Sequence, residues 1–478
     1  MSSAFDAVIP ILCVTLAGLV ILLAEAFMKK GEKMPIAPLG LIGLAGAAVA
    51  SVLLWDRNTE SFGVVSADNF GLFVNLVIIA VGALTIIFST QTVERDGLPA
   101  GEYYAMLMFA IVGMMLMAQA TDLLVIFLAL ETMSIAVYIL TAMRRDQQQS
   151  SEAGFKYFLL GAFASSFFLY GIAFLYGTTG TTNIDEMSTR IAAQSMSGNP
   201  MILLGIGLLI VGFGFKIAAV PFHMWSPDAY EGAPAVVTGF MSTGVKAAAI
   251  AAFVRVFLKG LDPMIADWAP IIWWIAALTM IVGTVVGVAQ TSLKRMLAYS
   301  SIAHGGYLLA GLVAGNEVGK AAILFYLAAY ALTNLGAFGV IALLGQRERA
   351  NDDLRDYAGL WHTHPGLAGL MTFFLLSLGG FPPTAGFIAK WYIFSAAIGS
   401  GYYGLAIIGF LSSVVSVFFY LRIVVMMYMT DRDARPVPAP ISRLAMGGLV
   451  LAMLGVLYLG VLPTRLIEFA QQSIGTIF

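Results

Sequence analysis

Five ionisable side chains stand inside long apolar runs. They are Glu131 in TDLLVIFLALETMSIAVYILTA, Lys156 in GFKYFLLGAFASSFFLYG, Lys216 in MILLGIGLLIVGFGFKIAAV, Lys246 in GFMSTGVKAAAIAAF and Lys390 in PTAGFIAKWYIFSAA. A charge held in hydrocarbon is costly and usually marks an ion pathway. Lysines spread over separate membrane segments, with one carboxylate among them, form a proton-handling pattern. Burial raises the pKa of a carboxyl and lowers that of a lysine, and pairing the two does the reverse to both. A Glu–Lys pair that forms and breaks is therefore a switch for lysine proton affinity. The expected pair is Glu131 with Lys216, across the fifth and seventh spans. The plainer account of Glu131 is a protonated carboxyl bonded to a neighbouring helix, or an ion pair that only holds structure.

The other candidates divide by depth. Lys246 is about eleven residues into its run, too deep to reach water easily, so a wet cavity or a hydrogen-bonded neutral amine is expected around it. Lys390 is also deep, beside Trp391 and Tyr392. Lys156 is only about two residues into its run, and a side chain stretched toward the headgroups accounts for it as well as chemistry does. Arg255 and Arg422 fall near span ends and are expected to reach the headgroups in the same way. His304, in AYSSIAHGGYLL, titrates near neutrality and could relay protons, or it could be a hydrogen-bonded packing residue. His223 follows Pro221 and could conduct or could cap exposed backbone. Ser300, Ser301, Tyr299, Thr243 and Ser242 could hold waters between the charges, though such hydroxyls also join membrane helices. The stretch HMWSPDAYEGAPA (223–235) reads as an ordered interfacial turn rather than a site. His362 and His364, near Asp352, resemble a metal cluster only superficially, and a solvated loop touching a partner is the expectation.

The composition says what must carry these residues. Of 478 residues, 60% are hydrophobic and 11% charged, against roughly 25% charged in soluble domains. That is an all-α polytopic membrane protein. The net charge of −2 gives no argument for nucleic acid. The one cysteine, Cys13, cannot alone make a disulfide, a zinc site or an iron–sulfur site. No Gly-rich phosphate loop follows a strand-like segment. The first apolar run, about 8–28, is followed by KKGEK and is expected to be a membrane helix rather than a removed leader.

A span needs about 20 apolar residues. Fourteen candidates follow, at about 6–28, 36–55, 69–90, 103–120, 122–142, 155–177, 201–224, 235–258, 269–290, 297–315, 319–344, 366–397, 402–429 and 441–462. The connections are short, the longest being about 178–200 and QRERANDDLRDYAGLWHTHP (346–365). With the N-terminus outside, inside loops hold fourteen basic residues: Lys29, Lys30, Lys33, Arg95, Arg144, Arg145, Lys294, Arg295, Arg347, Arg349, Arg355, Arg432, Arg435 and Arg443. Outside loops hold five: Arg57, Arg190, Lys259, Lys320 and Arg465. The bias predicts both termini on the outer, periplasmic side. Two spans are expected to be broken. The seventh runs into Pro221 after Lys216, and the twelfth carries Pro382 and Pro383 ahead of Lys390. Breaks of this kind are tolerated where they are buried in protein or line a wet cavity. Spans 4–8 and 9–13 could form inverted repeats, although proline follows the lysine in one and precedes it in the other. The implied divisions are a three-helix segment (1–100), two five-helix repeats (101–260 and 261–430) and a C-terminal helix and tail (431–478). The tail TRLIEFAQQSIGTIF could form an amphipathic surface helix or fray.

Five segments carry a family resemblance: LETMSIAVYIL (130–140), GFKYFLLGAFASSFFLYGIAFLYG (154–177), GFGFKIAAVPFHMWSPDAYEGAPAVVTGFMSTGVKAA (212–248), KRMLAYSSIAHGGY (294–307) and SLGGFPPTAGFIAKWYIF (377–394). They resemble the antiporter-like subunits of bacterial proton-pumping NADH:quinone oxidoreductase (respiratory complex I), and subunit N in particular, over about 100–460. Lys390 disfavours the M-type subunit, which usually has glutamate there. The length and the absence of a long C-terminal extension disfavour the L-type. The resemblance implies fourteen helices in two inverted repeats. It also implies that Glu131 and Lys216 pair, that Lys246 is the central relay and that Lys390 is the outlet. The implied place is the membrane arm in the bacterial inner membrane, beside the M-type subunit and the small membrane subunits. Flavin (FMN), iron–sulfur clusters, the NADH site and the quinone cavity are expected in other subunits, with no cofactor in this chain.

The expected function is thus one module of a translocase, with no redox site of its own. Redox chemistry elsewhere changes charge along a polar axis, the Glu131–Lys216 pair opens or closes, and a proton passes through Lys246, past His304, to Lys390. The rivals are a subunit of a multi-subunit cation/proton antiporter, which shares this fold, and a passive scaffold whose lysines are relics.

Overall fold

The computed structural model describes residues 4–27, 35–194, 196–345, 352–430 and 441–478. Among them, eleven helices are long and apolar enough to cross a membrane, with four shorter apolar helices beside them. In chain order they begin with α1 (Asp6–Phe27) and α2 (Ala37–Leu53). A small antiparallel hairpin follows, β1 (Thr59–Ser61) on β2 (Val65–Ala67). Then come α3 (Asn69–Asp96), α4 (Ala100–Gln119), α5 (Leu123–Thr141), α6 (Gln148–Thr179), α7 (Ile184–Ala193) and α8 (Pro200–Lys216). The centre is made by α9 (Trp225–Gly232), α10 (Ala235–Gly260), α11 (Asp262–Val288), α12 (Leu293–Ala314) and α13 (Glu317–Leu344). The chain ends with α14 (Pro365–Gly379), α15 (Ala385–Gly399), α16 (Tyr403–Met429), α17 (Arg443–Val461) and α18 (Thr464–Ile474).

Side-chain oxygens set several starts: Asp68 accepts from Gly71, Asp122 from Leu124 and Val125, Asn199 from Met201, and Asn316 from Gly319. Each satisfies a backbone donor that the first helical turn leaves free. Burial then sorts the helices into layers. The apolar stretch of α10 is 100% buried, that of α12 94% and that of α13 89%, against 33% for α1 and 39% for α6 and α17. The lysine-bearing α10 therefore stands at the centre. The outer helices turn Leu16, Phe163, Trp274 and Phe410 outward, where they are exposed. An apolar surface of this extent fits lipid rather than water.

Each apolar run read from the sequence overlaps one of these helices, and the twelfth overlaps two, α14 and α15, separated by residues 380–384. The seventh run ends its helix at Lys216, ahead of Pro221. One π-turn interrupts α10, at Met241–Val245, and a second ends it, at Val256–Gly260. Such widened turns cluster at functional positions, and the first directly precedes Lys246.

Three expectations change. Arg255 does not reach the headgroups. It is buried and binds Asp68 through both terminal nitrogens, at 2.7 and 2.9 Å, and the Ala118 carbonyl at 3.1 Å. A charge in the interior needs an opposite charge more than it needs a distant headgroup. Arg422 likewise turns inward, to the carbonyls of Val288 and Gln290 that end α11. The stretch 223–235 is not a bare turn, since it holds α9, whose acids Asp228 and Glu231 both bind Arg295. Of the two readings of the tail, the helical one holds, and α18 packs on α3 and α13. Several basic residues used for orientation (Lys29, Lys30, Lys33, Arg347, Arg349, Arg432 and Arg435) lie outside the described residues.

Candidate functional site

Lys216 is the last residue of α8, where the helix leaves its final carbonyls without intrahelical partners. The indole nitrogen of Trp225 donates to the Phe215 carbonyl at 2.8 Å, and the Ala219 amide to Gly214 at 2.7 Å. The turn passes through Ala218, whose φ is +59°. These contacts leave the buried Lys216 amine free of the backbone. It donates to the Ser134 hydroxyl at 2.6 Å and lies over the rings of Tyr138 and Tyr157, at 5.4 and 5.5 Å. Ser134 in turn donates to the Leu130 carbonyl.

The expected Glu131–Lys216 ion pair is not formed in this structure. Glu131 is half-buried, one turn before Ser134 on α5, and accepts from Ser165 on α6. The two charges still interact electrostatically, but each is held by a serine. A hydroxyl partner stabilises a charge without fixing it as an opposite charge does.

Lys246 leaves the first π-turn and points at α12. Its amine donates to the Ser301 carbonyl, and to the Ser301 hydroxyl at 2.7 Å, over the Tyr330 ring at 5.7 Å. Gly305 makes the approach possible. A Cβ there would sit 3.2 Å from the Ile217 carbonyl, at the α8 break, and 3.7 Å from the Lys246 amine. The Lys246 amine and the broken end of α8 thus meet across one glycine.

Lys390 caps the other break. Its amine donates to the last carbonyls of α14, Leu378 at 2.8 Å and Gly379 at 3.1 Å, and to the Ser413 hydroxyl at 2.8 Å. A cation at a helix C-terminus meets the negative end of the helix dipole. The Tyr307 ring lies 5.3 Å away. Lys390 and Ser413 also border an open, mainly apolar crevice of about 490 Å³ between α15 and α16.

His304 stands between the two lysines and feels the charge of both. One ring nitrogen meets the Tyr326 hydroxyl and the other faces that of Tyr420 at 3.5 Å. Tyr420 reaches Ser300 at 2.5 Å, next to the Ser301 that holds Lys246. Of the other hydroxyls proposed from the sequence, Ser242 accepts from Asn334, while Thr243 binds backbone of its own helix. Tyr299 is only partly buried, and His223 sits at the α8 break with its Nδ1 unpartnered among the described residues.

Lys156 is not part of this buried row. It is exposed and binds Glu152 at 2.7 Å and Asp228 at 3.0 Å. Asp228 continues to Arg295 at 2.7 Å, and Arg295 to Glu231 at 2.9 Å. Burial alone would raise the Asp228 carboxyl, but hydrogen bonds from Arg295 and Lys156 hold it below its ordinary value. Glu152, Lys156, Asp228 and Glu231 line a small polar pocket of about 100 Å³.

Lys216, Lys246 and Lys390 therefore share one arrangement, a serine hydroxyl as acceptor and a tyrosine ring face beside the amine, whereas the buried Lys294 pairs with Asp352 at 3.2 Å. Reading the residues one by one missed Ser134, Ser165, Ser413, Tyr330 and Tyr420. Their only signal was the density of hydroxyls in otherwise apolar runs.

The family model described as NADH:quinone oxidoreductase/Mrp antiporter, TM, matches residues 120–416, which include Glu131, Lys216, Lys246 and Lys390. NADH-quinone oxidoreductase subunit N of Trichlorobacter lovleyi is 45% identical over 98% of this chain and 96% of its own. A chain of respiratory complex I from Thermus thermophilus is 32% identical, with a TM-score of 0.82 over 96% of this chain and 98% of that one. A chain of the Mrp complex from Dietzia sp. DQ12-45-1b has a TM-score of 0.85 over 99% and 97%, at 20% identity, a likeness of fold alone.

Proposed function

The chain belongs to the NADH:quinone oxidoreductase/Mrp antiporter membrane-subunit family, among its subunit N members, and from that premise we propose that Glu131, Lys216, Lys246 and Lys390 carry the protons it moves. It is a proton-translocating membrane-arm subunit of NADH:quinone oxidoreductase, a multi-span protein set among other membrane-arm subunits.

The observation that carries the proposal is the shared setting of Lys216, Lys246 and Lys390. All three are buried, and no ion pair joins any of them to an acid among the described residues. A buried ammonium held by hydroxyls and carbonyls can lose its proton without stranding a buried carboxylate beside it, which makes it a better carrier than a salt-bridged one. Moving one charge against ~200 mV requires about 4.6 kcal/mol, at ~2.3 kcal/mol per 100 mV. One pH unit of proton affinity is worth ~1.36 kcal/mol, so a change of about three to four such units suffices. Contact of Lys216 with Glu131, made and broken, supplies a change of that size. The hydrogen bonds of Lys216 to Ser134 and of Glu131 to Ser165 support such a switch by offering each charge a second partner. Lys246 then receives the proton through the Ser301 region, His304 with Tyr420 and Tyr326 forms the middle, and Lys390 is the outlet. Lys156 is an accessory at the inner mouth.

The wider reading is fourteen crossings, with α14 and α15 as halves of one, in two inverted repeats over 101–260 and 261–430. Both termini lie on the outer side of the bacterial inner membrane. Flavin and iron–sulfur chemistry belong to other subunits. The antiporter alternative rests on fold alone, at 20% identity.

Lys216→Ala in the assembled enzyme is the test. Protons pumped per electron should fall while NADH oxidation by the peripheral arm with a soluble acceptor continues. Wild-type stoichiometry would overturn the assignment.

A further inference from the structure

Beside Lys216 and Lys246, α9 packs on α6 and α12, and it carries two aromatic side chains. Trp225 stacks on Tyr157, with ring centroids 4.1 Å apart and planes 3° from parallel, and Tyr157 flanks Lys216. Five residues further on, Tyr230 is buried edge-on against Trp225 at 6.2 Å and Phe338 at 6.5 Å. Its phenol lies within reach of two hydroxyls, Ser226 and Ser301. Ser301 is the residue that holds Lys246. On the other side, the Tyr157 and Tyr230 phenols are close enough to interact electrostatically. The hydroxyls of Tyr138, Tyr157 and Ser226 are all buried.

We propose that Tyr230 is the proton bridge between the Lys216 chamber and Lys246. The inference rests on the lysine reading above and deepens it. The phenol stays neutral before and after each transfer. Its oxygen accepts a proton that started on Lys216 and arrives from the Tyr157 or Ser226 hydroxyl. Its own hydroxyl proton leaves to Ser301, whose proton passes to a neutral Lys246. Each oxygen ends with the hydrogens it began with, Lys216 ends neutral and Lys246 ends charged. Rotation of the hydroxyls resets the chain. By reversibility the same bridge serves the opposite direction.

Tyr230→Phe in the assembled complex removes the hydroxyl and keeps the ring between Trp225 and Phe338. The expected result is normal assembly with protons per electron lowered to the level of Lys216→Ala. Adding Ser226→Ala should lower it no further, because the two act in series. Phe338→Leu loosens the same packing without touching a hydroxyl and should keep the wild-type ratio. A wild-type ratio in Tyr230→Phe, with Lys216→Ala lowered, overturns the bridge and leaves the lysine reading standing. A wild-type ratio in both overturns the lysine reading itself. An equal loss in Phe338→Leu makes Tyr230 a packing residue and also overturns the bridge.

Discussion

Lys216 has a choice of partners, and the choice sets what it can do. It donates to Ser134, while Glu131, one turn earlier on the same helix, is held by Ser165. Removing the serine should reverse the choice. A hydrogen bond to a charged group contributes about 1.5–3 kcal/mol, so Ser134→Ala should favour the closed Glu131–Lys216 pair by about 10- to 100-fold. The closed pair holds the Lys216 proton, and turnover of the assembled enzyme should slow with pumping. A structure of the variant in which the amine still stands clear of Glu131 would count against the switch. This is also where the sequence was easiest and hardest to read. Glu131, Lys216, Lys246 and Lys390 were legible because a charge in an apolar run has few explanations. Ser134, Ser165 and Ser413 were not, because a serine in a membrane helix has many, and only the fold shows which ones meet an amine. Arg255 was misread for a related reason: its position near a span end was visible, but its partner Asp68 lies 187 residues away.

The two broken helices end in different ways, and proline alone foretold neither. At the α8 break an indole takes a free carbonyl and leaves Lys216 available. At the α14 break the lysine itself comes back across 380–384 to take the carbonyls. Gly380 is the hinge of that return, with φ at +85° and a Cβ position only 3.1 Å from Lys390 Cδ. Gly380→Ala therefore brings a left-handed backbone penalty of about 1–2 kcal/mol and also pushes the lysine off its carbonyls. Gly401 supplies the control, since its φ is +82° with nothing within 4 Å of its Cβ position. Gly401→Ala should show the backbone penalty alone, as a lowered unfolding midpoint with pumping intact. Gly380→Ala should lose pumping as well. Equal pumping in the two variants would mean that Lys390 does not need its place on the end of α14. The apolar runs located the helices well because their lengths are set by the bilayer. The π-turn ahead of Lys246 left no trace in composition, because the same residues build an α-turn elsewhere.

At the scale of the whole molecule, the buried Arg255–Asp68 pair joins the N-terminal segment to the central helix of the lysine row. Asp68 caps α3 through Gly71 and accepts both terminal nitrogens of Arg255 near the far end of α10. Asp68 lies outside the matched stretch 120–416, whereas Arg255 lies within it, so the pair joins the chain ahead of the family match to the matched stretch. A buried pair stabilises little against an apolar replacement, but breaking it from one side costs about 3–5 kcal/mol because the other charge is stranded. Arg255→Met should therefore lower the unfolding midpoint of the purified complex sharply. Asp68→Asn in the same chain should recover most of that loss, since asparagine keeps the cap on α3 while removing the stranded charge. Asp68→Asn alone should fall between them, because the guanidinium keeps the Ala118 carbonyl as a partner. If the double variant is as unstable as Arg255→Met, stranded charge is not the cause, and the arginine matters instead for its packing against Phe70, whose ring lies 5.2 Å from the guanidinium carbon.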